Sequence, residues 1–124
     1  MENKQTSIFN NVIGKSVHAD LHNINPDLLK DLDFISDVLN ESVTIAKAHF
    51  VDSIFKQFGG EGGITGVIIL SESSVTIHTY PEYGYAAVDY FTCGDECDPM
   101  AATMFISNKF NATIKQLKVL ERGL

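Results

Sequence analysis

The sequence is short of positive charge, of cysteine and of long apolar runs, and each shortage closes off a class of function. Nine Lys and Arg stand against sixteen Asp and Glu, a formal charge of -7. Nucleic acid and anionic membrane surfaces would therefore repel the chain, whereas a cationic substrate suits it. No stretch approaches the roughly 18 apolar residues needed to span a bilayer. The opening MENKQTSIFNNVIGK also lacks the basic-then-apolar order of a signal peptide, so a cytoplasmic location is expected. The two cysteines, Cys93 and Cys97, stand four apart in CGDEC. That spacing is not a zinc knuckle's and no second pair completes four ligands, so neither a bound metal nor a disulfide framework is expected.

What is present is one compact domain's worth of chain: 124 residues, 44% hydrophobic and 10% aromatic. Residues 12–21 read as a strand. Asn25 and Pro26 give a cap and first-turn signal for a helix to about Asn40, with Leu28, Leu29, Leu32, Ile35, Val38 and Leu39 on one stripe. Residues 43–55 are β-branched and aromatic and read as a strand. GGEGG at 59–63 is a loop, and ITGVIIL (64–70), the polar turn SESS (71–74) and VTIHTY (75–80) spell a hairpin. Period-two alternation puts Thr76, His78 and Tyr80 on one face. A strand at 86–93, a helix from the Asp98-Pro99 cap to about Asn108 and a last strand at 112–121 complete the chain. The fold class expected is α+β, a two-layer sandwich of a mainly antiparallel sheet with helices on one face, in the order βαβββαβ. A domain this small leaves the other face in need of a cover, which a second copy of the chain would supply.

Glu72 and Ser73 sit at the hairpin tip, where a peptide carbonyl and a hydroxyl meet at short range. A solvated turn is the plain alternative. His78 follows on the adjoining strand, and Cys93 lies fifteen residues beyond it. Taken singly, His78 reads as a strand histidine and Cys93 as a small buried hydrophobe.

The segment GVIILSESSVTIHTYPEYGYAAVDYFTCG (66–94) resembles the core signature of the short bacterial and archaeal S-adenosylmethionine decarboxylase proenzymes, typically LSESHLTIHTWPE followed by YAAIDLFTCG. Weaker echoes extend to Gly14-Lys15, Phe55 and Phe58, Asp98-Pro99 and the ERG at 121–123. The resemblance implies a chain that cuts itself between Glu72 and Ser73 into residues 1–72 (the β chain) and 73–124 (the α chain), leaving Ser73 as a pyruvoyl group. It implies that His78 removes the serine α-proton during processing. It implies that S-adenosylmethionine then binds the pyruvoyl ketone as a Schiff base and loses carbon dioxide, and that Cys93 returns a proton to the α-carbon. Glu82 matches an acid on the cationic or ribose part of the substrate. Phe58 and Tyr80 match aromatics that sandwich adenine. A homodimer of cleaved protomers is implied as well.

Three positions depart from the pattern: Ser74 replaces a histidine, Tyr80 a tryptophan and Ser16 a histidine. None is Ser73, His78 or Cys93, so the departures bear on the substrate more than on the reaction. Pyruvoyl-dependent decarboxylation of another amino acid, such as arginine or ornithine, is therefore a second reading. An unprocessed binding module is a third.

Overall fold

The computed structural model describes residues 12–124. Six strands, β1 (Val12–His22), β2 (Phe50–Gln57), β3 (Ile64–Leu70), β4 (Ser73–Tyr80), β5 (Tyr85–Cys93) and β6 (Thr113–Gly123), form one sheet in the order β2-β3-β4-β5-β1-β6. Every neighbouring pair is antiparallel. Three helices, α1 (Pro26–Leu29), α2 (Leu32–Ile45) and α3 (Pro99–Lys109), cover one face.

The expected two-layer α+β sandwich is present, with two adjustments. Between residues 50 and 93 stand four strands, matching the four read at 43–55, 64–70, 75–80 and 86–93, so the order, with the broken first helix counted once, is βαββββαβ, one strand more than βαβββαβ. The first helix also breaks at Lys30 and resumes when the Asp31 carboxylate caps the Phe34 amide at 3.0 Å. It then runs to Ile45, through residues expected to begin a strand. Packing decides this: Ser42 and Val43 continue the buried stripe of Ile35, Val38 and Leu39, and that burial outweighs the strand preference of Val43 and Ile45. The helix ends where Lys47 turns left-handed, at φ +60°.

The caps read from sequence are in place. Asn25 accepts from the Asp27 amide and Asp98 from the Ala101 amide, each with a proline in the first turn. The core lies between the layers, where Val17, Leu21, Ile68, Val75, Ile77, Val88 and Tyr90 meet Leu29, Ile35, Leu39, Ile106 and Phe110. Tyr90 is the largest fully buried side chain. Its hydroxyl lies 2.9 Å from the Ser42 hydroxyl, which donates to the Leu39 carbonyl at 2.6 Å, so the phenol is the donor of the pair.

Helices leave the other face open. Apolar side chains stand there beside polar ones: Ile54, Val67, Ile69, Phe91 and Leu120 among Ser16, His18, Thr65, Thr76, His78 and Asp89. Ile54, Ile69 and Leu120 are exposed. Among the described residues, no helix is long and apolar enough to cross a membrane.

Candidate functional site

The hairpin of β3 and β4 closes through two residues, Ser71 and Glu72, with Leu70 opposite Ser73. The polar turn is therefore shorter than the 71–74 expected, and Ser73 is the first residue of β4, facing Thr92 at the end of β5. That register brings the Cys93 amide to the Glu72 carbonyl, to which it donates at 3.0 Å. A serine that attacks the preceding carbonyl needs a donor waiting for the oxyanion, and the Cys93 N–H is so placed. Ser73 itself takes φ +157°, the only one of the four described positive-φ non-glycine residues outside the left-handed helical region. Gly14 of β1 runs close by: a Cβ there would meet the Thr92 carbonyl oxygen at 2.5 Å and the Cys93 Cα at 3.1 Å. This end of the sheet therefore tolerates no side chain at that position.

The Glu72 carboxylate is bound by His49, whose amide donates to it at 3.0 Å and whose Nδ1 lies 2.6 Å away. The hydrogen bond from the His49 ring is the largest cause holding this carboxyl below its ordinary range, against the opposing effect of burial. Cys97 packs nearby, its Sγ 3.7 Å from the Lys47 carbonyl, and burial pushes its thiol up, with the Glu72 charge adding. Both cysteines are free thiols.

A second group gathers toward the opposite end of β4. Phe58, Thr65, His78, Tyr80 and Glu82 line an open cleft of about 280 Å³. His78 and Thr65 are cross-strand partners, with Nδ1 and Oγ1 3.1 Å apart. The Tyr80 ring stacks on Tyr85, centroids 5.4 Å apart and planes 19° off parallel, and Tyr85 in turn lies 4.8 Å from the His22 ring. The Tyr85 hydroxyl donates to Asp20 at 2.7 Å. Burial first and the Asp20 bond second push its pKa up to about 12, so it stays a donor. Glu82 projects from the 3-10 turn Pro81–Tyr83, which Gly84 closes in the left-handed conformation. Phe58 is 54% and Tyr80 39% exposed, so part of each ring is open to a flat ligand even with Tyr80 stacked on Tyr85.

All seven residues read from the sequence are thus present at two places, not one. Glu72, Ser73 and Cys93 sit at one end of the β4–β5 pair, and Phe58, His78, Tyr80 and Glu82 toward the other. His78 is five residues beyond Ser73 on the same extended strand. At roughly 3.3 Å per residue that is about 16 Å, beyond the reach of an imidazole. The turn and His78 are neighbours in sequence and on the strand, but not within bonding range inside one chain.

Thr65 and His49 escaped the sequence reading. Thr65 is a hydroxyl inside the apolar run ITGVIIL, which is the signal that could have marked it. His49 stands 23 residues before Glu72, and only the fold joins them. Ser16, one of the departures, donates to or accepts from His18 Nε2 at 2.9 Å, while His18 Nδ1 lies 2.8 Å from Asp89. Ser16 is buried, so these bonds fix side chains on the open face rather than present a nucleophile.

A family model described as S-adenosylmethionine decarboxylase matches residues 15–123. The chain is 38% identical over 113 residues to a protein of Oceanobacillus iheyensis, covering 91% of this chain and 89% of the relative. It is 40% identical over 114 residues to one of Clostridium kluyveri, covering 92% and 90%. Both relatives are named S-adenosylmethionine decarboxylase proenzyme. Among solved structures, the adenosylmethionine decarboxylase of Aquifex aeolicus superposes with a TM-score of 0.82 at 34% identity, over 92% of this chain and 93% of that one.

Proposed function

The chain belongs to the S-adenosylmethionine decarboxylase family, and on that premise we propose that it decarboxylates S-adenosylmethionine with a pyruvoyl group made from its own Ser73. The product supplies aminopropyl groups for spermidine synthesis. One observation carries the assignment of Ser73: the carbonyl it would attack already accepts a hydrogen bond from the Cys93 amide.

Ser73 Oγ bonds to the Glu72 carbonyl carbon, the peptide C–N bond breaks, and the hydroxyl proton passes to the freed nitrogen, leaving an ester. A base then takes the Ser73 α-proton, the Cβ–O bond breaks, and Glu72 leaves as a carboxylate at the end of residues 1–72. The remaining enamine tautomerises to an imine, and one water releases ammonia to give a pyruvoyl terminus on residues 73–124. His78 has the chemistry for the α-proton, since an imidazole nitrogen can accept a proton and hand it on, and the Thr65 hydroxyl lies 3.1 Å from its ring nitrogen.

The roughly 16 Å between Ser73 and His78 decides which His78 serves. Two copies meeting open face to open face about a two-fold axis that crosses the strands lay the Ser73 end of one over the His78 cleft of the other. Such contact would also cover Ile54, Ile69 and Leu120. Each site would then join Glu72, Ser73 and Cys93 of one protomer to Phe58, Thr65, His78, Tyr80 and Glu82 of its partner.

The pyruvoyl group would supply an electron sink for the bonding pair left on the α-carbon when carbon dioxide departs, so no pyridoxal phosphate is required. Phe58 and Tyr80 would take adenine between them, the latter already held flat by Tyr85. Glu82 would face the cationic sulfonium or the ribose. Cys93 would hold the proton returned to the α-carbon. The stacked ring at Tyr80 favours a nucleoside substrate over arginine or ornithine, which have no flat base to fill the cleft. An acidic chain that is expected to remain in the cytoplasm suits a small cationic metabolite, with no nucleic acid or membrane partner.

The test is carbon dioxide release from carboxyl-labelled S-adenosylmethionine, arginine and ornithine in parallel. Release from S-adenosylmethionine alone is expected. Release from an amino acid without the nucleoside would move the assignment to the second reading.

A further inference from the structure

The turn that carries Glu72 lacks the residues that make a two-residue hairpin hold its own shape. Such loops favour Gly, Asn or Asp at positive φ, whereas Ser71 and Glu72 are neither of these types nor at positive φ. The hold comes from outside. His49, in the connection from α2 to β2, accepts from the Ser71 amide at 3.0 Å through its carbonyl. It also grips both oxygens of the Glu72 carboxylate through its amide and its ring. The same connection fastens the loop beyond β5: the Asp98 amide donates to the Ala46 carbonyl at 2.8 Å, and Cys97 lies against the Lys47 carbonyl. Residues 46–49 thus brace the turn and the segment following Cys93 against each other.

We propose that His49 is the positioning residue for self-cleavage: its hold on Ser71 and Glu72 keeps the Glu72 carbonyl on the Cys93 amide while the Ser73 hydroxyl attacks. The inference rests on cleavage at Glu72-Ser73. His49 touches neither the attacking oxygen nor the carbonyl carbon, so it acts by fixing geometry. A carboxylate bound by two donors resists the swing that would carry its own carbonyl off the Cys93 N–H. Without the ring, the His49 amide and the neighbouring Ser71 side chain remain on the carboxylate, and only the amide ties the turn to the connection before β2 through Glu72.

The experiment follows conversion of freshly translated 1–124 into 1–72 and 73–124 on denaturing gels. His49→Ala should process at least about tenfold more slowly, the effect expected from losing a hydrogen bond to a charged group. His49→Asn, whose side-chain amide reaches the place of Nδ1–H, should recover most of the rate. Glu72→Gln should slow processing too, and adding His49→Ala to it should cost no more than about a further twofold, because the two act as one unit. Melting curves in a Ser73→Ala background, which keeps every chain uncut, separate slow chemistry from misfolding. Wild-type cleavage with His49→Ala equally fast overturns the inference, as does His49→Asn as slow as His49→Ala with melting unchanged. Should His49→Ala fail to fold, additive slowing by His49→Asn and Glu72→Gln would overturn it. A wild-type chain that never cleaves removes the cleavage reading itself, which is a different result.

Discussion

The amide of Cys93 donates to the carbonyl of Glu72 across 3.0 Å, so the strand that carries the candidate proton donor also holds the bond proposed to be cut. The two tasks proposed for Cys93 lie on different atoms, the backbone N–H and the thiol, and substitution of the side chain separates them.

Cys93→Ala should therefore still process, at least in part, because alanine keeps the amide. Turnover should fall about a hundredfold or more, the usual loss for a positioned acid. Protonation at the wrong atom would leave an alanyl rather than a pyruvoyl terminus on residues 73–124, visible as a mass shift after incubation with substrate. Wild-type turnover with an unchanged terminus would make Cys93 a packed thiol and place the proton elsewhere.

The distance between Ser73 and His78 yields a complementation test. Expressed alone, Ser73→Ala has no nucleophile, and His78→Ala should stall uncut or at an ester that hydroxylamine cleaves. Expressed together, they should form mixed dimers in which His78 of the Ser73→Ala chain serves Ser73 of its partner. The His78→Ala chain should then be cut. Absence of cutting in mixed dimers confirmed by mass would assign His78 to its own chain, or to no processing role.

Tyr90 gives a pH prediction. Burial pushes its pKa up to about 12 from an ordinary 10.0. The folded state therefore keeps a proton that the unfolded state loses, and stability falls as pH rises from about 10 toward 12. Two units correspond to about 3 kcal/mol at full effect. Tyr90→Phe loses its bond to Ser42, about 1 kcal/mol near neutrality, but has no phenol to ionise. Its stability curve should converge on the wild type above pH 10 and cross it. Parallel curves through pH 12 would contradict this account of Tyr90.

Much of this was legible in the sequence because it depends on local rules. Asn25-Pro26 and Asp98-Pro99 announce helix starts, and the alternation of β4 puts His78 and Tyr80 on one face. The helical run through Val43 to Ile45 was not legible, since β-branched residues favour strands until packing decides. Nor were the partners of His78 and Glu72: Thr65 and His49 are brought to them by sheet register and by a connection, neither of which has a local signal. The separation of Ser73 from His78 was implicit in the rise of a strand, yet it becomes a constraint only once both residues are seen to lie on a single unbroken β4.

An intact-mass spectrum of the purified wild-type protein tests whether Ser73 becomes the cofactor. Two fragments are predicted, 1–72 ending in a free Glu72 carboxylate and 73–124 lacking an α-amine, resistant to Edman degradation and reducible by borohydride in the presence of substrate. A persistently intact 124-residue chain, or a 73–124 fragment beginning with an ordinary serine, would contradict it.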